Sequence, residues 1–92
     1  MDEISARYYL RLLVHDRPGV FAQITRVLGD AEISIASAIQ KDSVLVGDPP
    51  AEYAEVVLMT HVTQEAAMQR AVKEMAELSV VFRIGSLIRV ES

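Results

Sequence analysis

The hydrophobic spacing changes period once between Tyr8 and Ala31, and the change is made by Asp16-Arg17-Pro18-Gly19. Before that turn, Tyr8, Leu10, Leu12 and Val14 alternate with Tyr9, Arg11 and Leu13, the period of a half-buried strand. After it, Val20, Phe21, Ile24, Val27, Leu28 and Ala31 recur at helical spacing, with Gln23, Thr25, Arg26 and Asp30 on the other side. A strand that feeds an amphipathic helix through so short a turn has one economical way to bury both apolar surfaces, which is to lay the helix on the sheet.

The same alternation of periods continues downstream. The helix fades at Gly29-Asp30-Ala31-Glu32, and Ile33, Ile35, Ser37 and Ile39 then alternate with Ser34, Ala36, Ala38 and Gln40 as a second strand. Lys41 to Glu52 contains Gly47-Asp48-Pro49-Pro50, which cannot continue a ladder and reads as a hairpin loop with room for extended arms on either side. Tyr53 to His61 is β-rich and more continuously apolar, as a central strand requires. Thr63 is placed to cap a second helix with Glu65 in its first turn, and Met68, Ala71, Val72, Met75 and Leu78 form its stripe, ending near Leu78. Val80 to Arg83 and Leu87 to Val90 read as a last strand, bulged or interrupted at Gly85-Ser86.

The order β-α-β-β-α-β predicts an α+β fold of the ferredoxin-like kind: a four-stranded antiparallel sheet with two helices on one face, since right-handed crossovers put both there. Strands one and three take the centre, strands two and four the edges, and the other face of the sheet is left uncovered. Residues 1–92 read as a single domain with a core of about 8–91. The second strand presents free backbone groups, so a second copy pairing along it is the expected assembly, a homodimer.

Most chemistry is excluded by what is missing. There is no cysteine, so there is no disulfide framework, CxxC site or thiol nucleophile. Net charge is −4 with no basic run, and the third strand offers Val56, Val57, Leu58 and Met59 where an RNA platform needs aromatics, so no nucleic-acid partner is expected. His15 and His61 each end a central strand and could meet at one rim of the sheet, but no third ligand has suitable spacing and no metal site is expected. Serines 34, 37, 43 and 79 lack an elbow motif and no carboxylate pair converges on a cleft, so no catalytic residue is assigned. No GxGxxG is present, so no cofactor is expected in this domain. Neither a leader nor an apolar run of bilayer length is seen, and the expectation is a soluble, cytoplasmic chain without a membrane partner. At 51% hydrophobic residues it is apolar for its size, which points to self-association or a larger parent protein.

What remains is the turn itself. Pro18 suits the first position of the helix, because its missing N–H has no intrahelical partner there. The amides of Gly19, Val20 and Phe21 then face outward and, with the helix dipole, attract a carboxylate. Asp16 either caps the helix or binds an ammonium. The plainer alternative, a capped helix start and nothing more, stays open at this point.

The segments "RYYLRL", "DRPGVFAQIT", "ISIASAIQK", "VVLMTH" and "LIRVE" resemble the ACT domain family, and within it the C-terminal regulatory domains of bacterial homoserine dehydrogenases. The resemblance covers roughly Tyr8 to Glu91 and implies the same βαββαβ fold, no catalysis by the domain, and binding of an effector amino acid between two copies. Carried over by position, it puts Asp16, Pro18, Gly19, Val20 and Phe21 on one wall of the site and Ile33, Ser34, Ile35 and Gln40 of the other copy on the second wall. Phe21 stands where many of these helices carry Leu, and Asp16 where many loops carry Asn. The resemblance further implies threonine as the ligand, feedback inhibition in aspartate-family amino-acid biosynthesis, and a catalytic, NAD(P)-binding part in the parent chain. Two alternatives remain: a structural dimerisation module without ligand, and a sensor of another amino acid in a different host such as phosphoglycerate dehydrogenase.

Overall fold

The computed structural model describes residues 5–90 and contains β1 (Ser5–His15), α1 (Val20–Asp30), β2 (Ile35–Val46), β3 (Ala51–Thr60), β4 (Thr63–Gln64), α2 (Glu65–Glu77) and β5 (Val81–Val90). β1 is the spine of the antiparallel sheet. It pairs with β3 from Tyr9↔Met59 to His15↔Tyr53 and with β5 from Arg7↔Val90 to Val14↔Val81. β2 lies outside β3, so β2 and β5 are the free edges, as the sequence predicts.

Both helices cover one face. Alternation along β1 and β3 sends Tyr8, Leu10, Leu12, Val14, Ala54, Val56 and Leu58 into the core, where they meet Val20, Ile24 and Leu28 of α1 and Ala67, Met68, Ala71 and Met75 of α2. Thr60 lies in that layer too; it is 1% exposed, and its Oγ1 accepts the Tyr8 N–H at 3.0 Å. Val27, Ala31, Val72 and Leu78 pack around the margin. Phe21, expected in the stripe, stays 38% exposed at the top of α1.

Four expectations are corrected. Thr63 does not cap α2: it lies in the two-residue β4, which pairs with Ser5 and Ala6, and the cap position belongs to Gln64 with no side-chain cap bond. The sheet thus gains a fifth, very short strand. Pro18 is not the first residue of α1, which starts at Val20. Nor do His15 and His61 meet, because neighbouring antiparallel strands end at opposite rims: His15 sits opposite Tyr53, and His61 follows β3 about 26 Å away at ~3.3 Å per residue. Among the described residues no group of three potential metal ligands exists.

β2 is longer than its alternation indicated, running through Lys41 to Val46. A register shift between Lys41 and Val44 lets it continue alongside β3 to the Gly47–Pro50 turn. β5 is one continuous strand with register shifts opposite Arg11/Leu12 and Leu13/Val14. Gly85 lies at the first of them, where an added Cβ would come within 3.3 Å of Arg11 Nη1. No described helix is long and apolar enough to cross a membrane.

Candidate functional site

β1 ends at His15 and the chain reverses into α1 through Arg17-Pro18-Gly19-Val20. The Val20 N–H donates to Arg17 O at 3.3 Å, Pro18 takes the second position of this turn, and Gly19 takes the third with φ 84° and ψ −6°. That is a type II turn, in which proline's fixed φ and glycine's positive φ each have a required place. Gly19 is therefore needed for its backbone conformation; a Cβ there would meet nothing within 4 Å.

Gly19 is also the N-cap of α1 and offers no side chain, so the cap role considered for Asp16 is not taken up. Asp16 instead accepts a hydrogen bond through Oδ2 from Ser43 Oγ at 3.3 Å, a link between this loop and the long arm of β2. The Gln23 N–H begins the helical ladder by donating to Gly19 O at 3.2 Å. Among the described residues, the N–H groups of Gly19 and Phe21 have no partner. They are donors at the positive end of a helix dipole.

These groups line an open pocket of about 340 Å³. Asp16, Pro18, Gly19, Val20 and Phe21, the five residues assigned to the first wall, all border it. So does Gln40, which reaches the pocket of its own chain because it pairs with Val56 in the register of β2 against β3. Val14 and Val56 supply apolar lining, and His15 and Arg17 polar rims, none of which the sequence assigns to the effector site. The signal for three of them is positional: His15 and Arg17 flank Asp16, and Val56 pairs with Gln40.

Ile33, Ser34 and Ile35 lie at the opposite end of the molecule, where β2 starts beside Thr60. Ile33 is buried in the core, and its N–H donates to Leu28 O. Ser34 is exposed, with its carbonyl accepting the His61 N–H at 2.9 Å, and Ile35 is half-buried. Within one chain, then, the candidates of strand two are split between two ends of the sheet.

Beside the pocket, His15, Tyr53 and Phe82 form an aromatic row. The rings of Tyr53 and Phe82 stack at 4.2 Å, and His15 tilts against Tyr53 at 5.3 Å. His15 thus belongs both to the pocket rim and to this row, which braces the end of β1 against β3 and β5. The pocket joins helix amides, a carboxylate and a side-chain amide around an apolar floor. That set is able to hold a small zwitterion, with its carboxylate at the amides and its ammonium near Asp16.

The model of the ACT domain family matches residues 8–80. Over 91 residues, 99% of this chain, it is 39% identical to homoserine dehydrogenase of Methylobacillus glycogenes and 36% identical to that of Helicobacter pylori, covering 21% and 20% of those proteins. The solved homoserine dehydrogenase of Thiobacillus denitrificans superposes with a TM-score of 0.81 at 36% identity, over 98% of this chain and 18% of that one. The ACT domain of a GTP pyrophosphokinase from Chlorobium tepidum shares the fold, with a TM-score of 0.59 at 18% identity over 95% of this chain and all of that one. The chain spans about a fifth of the length of the curated relatives it matches. On fold, sequence and family match together, the chain belongs to the ACT domain family, whose members are regulatory and not catalytic.

Proposed function

We propose that this domain senses a free amino acid, threonine, and reports it to a homoserine dehydrogenase chain of which it forms a part. The observation that carries the reading is the pocket between the β1–α1 turn and Gln40, with two unpartnered amides and Asp16 at its edge. The threonine carboxylate would take the amides of Gly19 and Phe21, the ammonium Asp16, and the hydroxyl Gln40. A volume near 340 Å³ is at the small end for ligand pockets, as an amino acid needs.

The second wall would come from another copy paired along β2. That strand is a free edge twelve residues long, and it is exposed from Ala36 to Gln40. Pairing there would bring a partner's Ser34 and Ile35 toward a pocket that lacks them in one chain. Bound threonine then shifts the host between two arrangements only as far as it favours one of them. On this reading the NAD(P)-binding catalytic part lies elsewhere in a longer cytoplasmic protein.

Titration calorimetry with threonine, on protein whose dimer is verified by sedimentation, tests the proposal. Saturable heat is expected, with stabilisation of about 2.7 kcal/mol at a hundredfold excess over Kd. No heat and no thermal shift at millimolar threonine, with the dimer intact, would leave an assembly module. A thermal-shift screen of the other amino acids distinguishes a different ligand from none. Gly19→Ala forces a Cβ into the positive-φ position at a cost of about 1 kcal/mol and should weaken threonine binding while leaving the dimer in place.

A further inference from the structure

The described side chains on the face of the sheet turned away from the helices carry a charge opposite to that of the protein as a whole. Register aligns its side chains in rows: Met59, Tyr9 and Ile88 in one, Ile39, Val57 and Arg11 in the next, then Lys41, Glu55 and Arg83. Arg7 lies beyond the first row, and the aromatic row of Tyr53, His15 and Phe82 closes the other end. Among the described side chains the face holds four cations, Arg7, Arg11, Lys41 and Arg83, and one carboxylate, in a chain of net charge −4. That carboxylate, Glu55, is already engaged by Arg11 Nε and by Lys41 Nζ, and its side chain is only 11% exposed.

Around this basic band the apolar groups are open: Ile39 is 56% exposed, Ile88 53% and Phe82 43%. Four strands at ~4.8 Å and rows at ~6.8 Å make a surface of about 400 Å², the size of one side of an interdomain contact. A second copy pressed face to face would set like charges against each other, so self-pairing is disfavoured here.

We propose that the open face docks an acidic surface, flanked by apolar side chains, on the catalytic part of the homoserine dehydrogenase chain that carries this domain. Charge complementarity selects the acidic partner. The four-fifths of each relative's length that lies outside the match supplies the candidate, tethered at high effective concentration. The inference rests on the domain's place in such a chain and not on the identity of the amino acid. The threonine titration has a separate readout, so either can fail alone.

This segment has two lysines, Lys41 on this face and Lys73 on the exposed side of α2. Zero-length carbodiimide coupling of the full-length chain, mapped by mass spectrometry, therefore reads one face against the other. Lys41 should couple to an Asp or Glu outside this segment and Lys73 should not. Arg7→Glu with Arg83→Glu should cut the Lys41 product at least roughly tenfold at low salt, and the paired Gln variants should give an intermediate loss with the fold intact by circular dichroism. Lys41 products confined to Glu55, or to the same segment of an isotope-labelled second copy, would overturn the proposal. So would a yield indifferent to charge reversal.

Discussion

The two faces of the sheet are built from the same strands and hold together in different ways. On the helix side, Leu10, Leu12, Val56 and Leu58 are almost wholly excluded from water, and the Thr60 hydroxyl among them accepts a backbone N–H. On the open side, Leu13 is buried, but around it stand Arg11, Glu55 and Lys41 in an ion-paired group and a stacked aromatic row. The first face is stabilised by area removed from water, about 25 cal/mol per Å². The second keeps its cations half solvated around a buried carboxylate and gains little from them. A sheet of this kind separates the surface that makes the fold from the surface that can be read by something else.

The sharpest way to break that comparison is a matched pair of truncations on adjacent residues of β3. Leu58→Ala should cost about 3 kcal/mol by denaturant titration, because the site is fully enclosed. Val57→Ala, half-buried on the open face, should cost under about 1 kcal/mol. Equal losses would mean that the open face is as much core as the covered one.

Next in size is Glu55→Ala, which leaves Arg11 and Lys41 without their shared carboxylate. Arg11 and Lys41 are 41% and 58% exposed, so the loss should be about 1 kcal/mol and shrink in 1 M salt. A larger, salt-insensitive loss would assign Glu55 a packing role instead.

The smallest effect lies on the helix side. Tyr8 is buried, its hydroxyl has no hydrogen-bond partner among the described residues, and burial together with Glu65 raises its pKa from 10.0, with Arg89 opposing. Above pH 10 the unfolded chain releases this proton before the folded one, so stability present below pH 10 is lost as pH rises toward the folded value. Tyr8→Phe should leave neutral stability within about 1 kcal/mol and flatten that alkaline decline, as thermal melts from pH 8 to 11 would show.

Legibility in the sequence followed burial. Wherever one face of an element meets the core, as in β1 and α1, the periodicity placed it, because a one-residue slip would expose every apolar side chain. β2 beyond Gln40 has no such constraint: Lys41, Ser43 and Leu45 are all exposed, and its extent is fixed by pairing with β3. β4 was missed for a related reason, since two residues carry no period. The turn that borders the pocket is readable because Pro18 and Gly19 announce it by their own backbone chemistry, whereas its role as one wall of an effector site comes from the family resemblance alone. That the turn is type II, with α1 starting later, depends on a φ value that both readings of Pro-Gly allow. Gln40 was noticed, but its membership of its own chain's pocket depends on register, a long-range property no local pattern encodes.

The pairing of Arg7 with Val90 places the two ends of the described chain side by side, at the rim of the sheet opposite the turn that holds the pocket. Such a module is a plug with both leads on one side. It is able to hang from the end of a host protein or be spliced into one of its loops, since either attachment leaves the far rim clear. For the same reason, joining the ends with a short linker and opening the chain at Gly47–Pro50 should give a permuted protein that still folds.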